Sequence, residues 1–79
     1  MDTVHKQLLK ALYELYLENP GDFANSLLLT GKLNFSDKEL EINAKYLREK
    51  GYLKCGEITS DDFGLMITQK GIDFVKRLG

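Results

Sequence analysis

Apolar residues recur along this chain with a helical period at both ends and a strand period in between. Between Thr3 and Glu18, Val4, Leu8, Ala11, Leu12 and Leu15 gather on one side of a helix at 100° per residue. Leu9, Tyr13, Tyr16 and Leu17 carry the apolar arc around to the opposite flank, leaving a narrow polar strip of Lys6, Gln7, Lys10, Glu14 and Glu18. A helix this apolar needs cover on two sides. Asp2 or Thr3 is placed to cap it, and Asn19-Pro20-Gly21 stops it, because proline disfavours a helical residue before it. Phe23, Leu27, Leu28 and Leu33 predict a shorter second helix from about residue 22 to 32, in spite of Gly31.

The sharpest local signal follows. Ser36-Asp37-Lys38-Glu39 reads as a capping box, with Ser36 capping the Glu39 amide and Glu39 reaching back. Phe35, just before the cap, is set to pack on Leu40 as a hydrophobic staple. Asn34 tolerates the left-handed backbone that a tight turn between two helices demands. The third helix spans residues 37 to 50 and stops at Gly51, with Leu40, Ala44 and Leu47 facing inward. Lys38, Glu41, Ile42, Lys45 and Glu49 project from its other side, flanked by Tyr46 and Arg48. Beyond Gly51 the period changes: Tyr52-Leu53-Lys54-Cys55 and Leu65-Met66-Ile67 are strand-like runs enclosing a hairpin loop from Thr59 to Gly64. Thr68 then caps a last helix with an apolar edge of Phe74, Val75 and Leu78.

With 79 residues, the chain has room for one domain, taken as residues 1–79, whose fold class is α+β, mostly helical. No run approaches the roughly 20 apolar residues of a membrane span, and the N-terminus lacks the order of a secretory signal, so the expected location is cytoplasmic. One cysteine (Cys55) and one histidine (His5) fall short of a disulfide or a four-ligand zinc site. There is no phosphate-binding glycine loop and no nucleophile beside a base, and Asp61-Asp62 lacks a pocket that would separate the two carboxyl groups in acidity. Neither enzymatic activity, a metal nor a cofactor is expected. His5 is expected at the surface, and Cys55 as a small core residue. Phe63 either folds back onto the core or stands out as an anchor for another protein.

Taken together, Leu33-Asn34-Phe35-Ser36, Tyr46-Leu47-Arg48-Glu49-Lys50-Gly51-Tyr52-Leu53 and Ile67-Thr68-Gln69-Lys70-Gly71 resemble the winged helix-turn-helix superfamily, in the form of MarR-like and YjcQ-like small bacterial or archaeal proteins. The resemblance covers nearly the whole chain. It implies three helices, a β-hairpin wing over 54 to 66 and a C-terminal helix, with helix 37 to 50 as a recognition helix in the major groove of double-stranded DNA. Ser36, Lys38, Glu41, Ile42 and Lys45 would then face DNA, with Arg48 and Lys54 near phosphates. A small transcriptional regulator is implied, working as a homodimer on two half-sites through its first and last helices.

Charge changes that picture. Eleven Lys and Arg against twelve Asp and Glu give a net charge of -1, without the basic surplus usual for a nucleic-acid module. Glu57, Asp61 and Asp62 occupy the wing, where phosphate would be repelled, and four acids balance four bases on helix 37 to 50. Two readings therefore stand: a DNA-binding regulator, or a winged-helix protein-interaction module with an acidic wing. Leu9, Tyr13, Tyr16 and Leu17 are the residues for a dimer or partner surface, unless they pack under the hairpin and last helix.

Overall fold

A computed structural model describes residues 3–57 and 63–78. Its elements run α1 (Thr3–Glu18), β1 (Ala24–Asn25), α2 (Ser26–Leu33), α3 (Asp37–Glu49), β2 (Leu53–Glu57), β3 (Phe63–Ile67) and α4 (Gln69–Leu78). This is a small, mostly helical α+β fold of the winged-helix type.

The wide apolar arc of α1 is consumed inside the molecule. Leu8, Leu9, Ala11 and Leu12 are buried, because α1 packs against both α4 and β3 and so has neighbours on two sides. Of the two alternatives for Leu9, a partner surface or packing inside the domain, the structure takes the second: it is a fully enclosed core residue. Tyr13 and Tyr16 lie half-buried against the same core, and Leu17 alone of the four stands well out, at 60% exposure. His5 also departs from expectation: it is buried, and its ring stacks on Tyr46 at 4.3 Å and 10°. It precedes Leu8 and Leu9 by three and four residues, so it shares their face of the helix.

The second helix starts four residues later than its apolar pattern suggests. Ala24 and Asn25 pair instead with Leu65 and Gly64, adding a strand to the hairpin and giving an antiparallel sheet of order β1-β3-β2. Asn25 takes extended backbone angles, and its Oδ1 accepts from the Leu27 amide at 2.7 Å, which makes it the N-cap of α2. Asn34, at φ 57°, ends α2 in the left-handed conformation, and its N–H donates to the Thr30 carbonyl. The capping box of α3 is complete. The Glu39 amide donates to Ser36 Oγ at 3.1 Å, and the Ser36 amide to Glu39 Oε1 at 3.2 Å. At the other end the Tyr52 amide donates to the Leu47 carbonyl and the Gly51 amide to that of Arg48, a Schellman pair that needs the positive φ of Gly51 (84°).

β2 and β3 pair from Leu53↔Ile67 to Glu57↔Phe63, so Phe63 and Gly64 belong to a strand and not to the loop. Phe63 is folded back, half-buried against the core. Thr68 caps α4 as expected, its Oγ1 accepting from the Gly71 amide at 3.3 Å while donating to the Gly51 carbonyl at 2.6 Å. Its own amide donates to the Tyr52 carbonyl at 3.1 Å. The exit of α3 and the entry of α4 are thereby tied together. Leu29, Leu40, Ala44, Leu47, Leu53, Leu65, Ile67, Ile72 and Val75 complete one hydrophobic cluster with the α1 residues.

Candidate nucleic-acid interface

Fixed at both ends by its caps, α3 holds Leu40, Ala44 and Leu47 in the core and turns its remaining faces to solvent. Ser36, Lys38, Glu41, Ile42, Lys45, Arg48 and Lys54 are all exposed. Ser36 stands at the N-terminus with its hydroxyl engaged by the Glu39 amide. At helical spacing, Lys38 and Ile42 lie on the outermost face with Glu49, and Ile42 is 58% exposed. Glu41, Lys45 and Arg48 turn to one side. There they line a groove of about 510 Å³ between α3, the start of α2 and the β2–β3 hairpin.

Lys54 does not join this group. Leu53 goes into the core and Cys55 into the groove, so strand alternation sends Lys54 to the opposite face of the sheet. The groove also holds residues outside the expected DNA-facing set. Leu27, 57% exposed, and Phe63 supply apolar wall, while Asp37 faces it beside Glu41. Ser26 is buried at its edge and accepts from the Phe63 amide at 3.3 Å. Leu27 reaches the groove because α2 starts at the Asn25 cap directly beside the hairpin, through a pairing with β3 that the apolar pattern of residues 22 to 32 does not show.

Cys55 is exposed along the groove and is not a core residue. Although much of the residue meets solvent, the groove walls shield its sulfur, and this burial pushes the thiol up. The positive charge of the Arg48 guanidinium, on the same groove, offsets part of that rise. Electrostatically the groove is mixed, with Asp37 and Glu41 towards one end of α3 and Lys45 and Arg48 towards the other. The flank of α3 away from the groove is pinned by Tyr46, which stacks on His5 and lies under Lys50 Nζ at 5.7 Å. Asp61 and Asp62 lie outside the described residues, and of Glu57 only the backbone is described.

Among the described residues no group of three or more His, Cys, Asp or Glu is arranged to hold a metal ion, and no helix is long and apolar enough to cross a membrane. No family model matches the chain, and no curated protein matches it. A solved structure does: the 1.70 Å crystal structure of a protein from Ralstonia eutropha JMP134 that is provisionally described as DNA-binding. The two superpose with a TM-score of 0.85 over 99% of this chain and 96% of that one, at 18% sequence identity, which is a likeness of fold.

Proposed function

We propose that the chain is a DNA-binding protein of the winged-helix type, a small transcriptional regulator that lays α3 in the major groove. The observation carrying this reading is the capped, outward α3, which presents Lys38, Ile42 and Lys45 together on a rigid rod while its inner stripe is locked in the core. Lysines there neutralise phosphates, Ile42 meets a thymine methyl, and Glu41 accepts from a cytosine amino group. The likeness of fold to a protein described as DNA-binding supports the same reading, as does the resemblance of the sequence to MarR-like and YjcQ-like small proteins. Lys54 is left out of the α3 contact set and is assigned to flanking phosphate at most. The function is binding, without catalysis, in the cytoplasm. A homodimer through α1 and α4 would double the contacts, using Leu17 and Leu78 with the rims of Tyr13 and Tyr16.

The balanced charge predicts a weak, salt-sensitive grip. Titration of labelled duplex DNA against salt tests it: Lys38→Glu and Lys45→Glu should each lower affinity and flatten the salt slope by about one unit. Absence of binding at low salt, or indifference to both substitutions, defeats the groove model. Replacing Asp61 and Asp62 by Lys should tighten non-specific binding if the wing runs near phosphate.

A second reading is favoured by Leu27, Leu28 and Ile42, each more than half exposed around the helix-turn-helix. Under it the module docks another protein. The first-helix flank contributes little, since Leu9 is core.

A further inference from the structure

The outward face of α3 is complementary to itself. Along it the order is Lys38, Glu41, Ile42, Lys45, Glu49, and among the described residues none of these four charges makes an ion pair within its own chain. We infer that a second copy of this chain docks antiparallel on this face, α3 against α3.

The argument is one of register. At 1.5 Å rise per residue, Lys38 and Glu49 are about 16.5 Å apart, and a two-fold axis midway between them falls between residues 43 and 44. That axis sets Lys38 level with Glu49 of the second copy, and Glu49 with Lys38. Such an axis keeps each flank on its own side. Glu41 and Lys45, both on the groove flank, then meet Lys45 and Glu41 of the second copy, offset by only about 1.5 Å. On the outermost face the two Ile42 side chains come within about 4.5 Å along the helix direction, so the most exposed apolar residue of α3 is covered. The placement that pairs Lys38 with Glu49 thus brings two further matches with it.

Neighbouring registers are penalised. Sliding by about one turn one way sets Lys38 against Lys45; sliding the other way sets Glu41 against Glu49 and Lys45 against itself. A 13-residue helix offers far less than the roughly 800 Å² per partner of a standard interface, so the dimer is weak and concentration-dependent, and screened by salt. It covers the face proposed for DNA, which makes self-association and duplex binding exclusive. Only that last consequence rests on the DNA reading.

Sedimentation velocity without DNA, from micromolar to millimolar chain, tests the pairing in the natural chain and in Leu17→Glu, which disables the α1–α4 face. Leu17→Glu should move from 9.0 kDa towards twice that mass at low salt and return to monomer at high salt, and the natural chain should likewise gain mass at low salt and lose it at high salt, down to the α1–α4 dimer where that forms. Glu49→Lys should weaken association by about tenfold or more, since it turns two attractive pairs into two repulsive ones. Ile42→Asp should weaken it too, and the double exchange Lys38→Glu with Glu49→Lys should restore it. A monomer throughout, association that disappears with Leu17→Glu, or a double exchange as weak as Glu49→Lys overturns the inference. Because no DNA is present, failure to bind duplex DNA leaves this result standing.

Discussion

Gly71 offers the most exacting test of the packing, because the space around it predicts a sign opposite to that of helix propensity. It lies in the first turn of α4, where alanine is normally better than glycine by about 1 kcal/mol. A Cβ there would sit 2.2 Å from the Tyr52 carbonyl oxygen and 2.6 Å from Ile67 Cγ1. The first of these is backbone and cannot rotate away. To reach a tolerable contact, α4 must withdraw by roughly 1 Å, an overpacking cost of about 1–3 kcal/mol. That movement also strains the bonds from the Thr68 amide to the Tyr52 carbonyl and from Thr68 Oγ1 to the Gly51 carbonyl, together worth about 1–2 kcal/mol. After the propensity gain, Gly71→Ala should lose about 1–4 kcal/mol, lowering Tm by about 4–8 °C for each kcal/mol in a domain of this size. Gly31→Ala is the control. It too is helical, but a Cβ there meets nothing within 4 Å, so the change should stabilise by about 0.5–1 kcal/mol. Urea and thermal unfolding followed by circular dichroism measure both. A Gly71→Ala chain as stable as the natural one would refute the close seating of α4 on the α3–β2 corner.

Other consequences can be measured on the same scale. Ser36→Ala should cost about 1 kcal/mol, and Glu39→Ala added to it should cost less than in the natural chain, since the two bonds of the box act on one turn; a thermal double-mutant cycle reads the coupling. Tyr46→Ala removes the ring that stacks on His5 and lies under Lys50, a loss of about 1–2 kcal/mol, whereas Tyr46→Phe keeps the stack and should cost much less in urea unfolding. For Cys55, burial raises the thiol, so alkylation at neutral pH should be slower than for an unstructured cysteine and should reach its plateau at higher pH. Arg48→Leu removes the influence that lowers it and should move that plateau further up; a shift in the opposite direction contradicts the geometry.

Local chemistry made most of the fold readable. The capping box at Ser36, the glycine after α3 and the threonine before α4 each act within a few residues, so their partners are visible in the chain itself. What escaped depended on contacts far apart in sequence. Ala24 and Asn25 look like the start of a helix until β3 offers them a pairing edge. Leu9 could belong to a partner surface or to the core until α4 and β3 cover it, and His5 looks like a surface residue until Tyr46 stacks on it. Cys55 looks like core because it alternates with Lys54, yet the groove beside α3 leaves it open. The candidate interface divides in the same way. Lys38, Ile42 and Lys45 follow from helical periodicity alone, whereas the separation of Lys54 and the arrival of Leu27 and Phe63 follow from how the sheet is assembled.

Asn25 holds two posts at once, as half of the shortest strand and as the residue that starts α2. Any tilt of the hairpin drags on Gly64, and through it on the first amide of the helix-turn-helix. Rocking of the wing and unwinding of α2 therefore belong to a single mechanical mode, and hydrogen exchange at the Leu27 amide should report on events at the far hairpin.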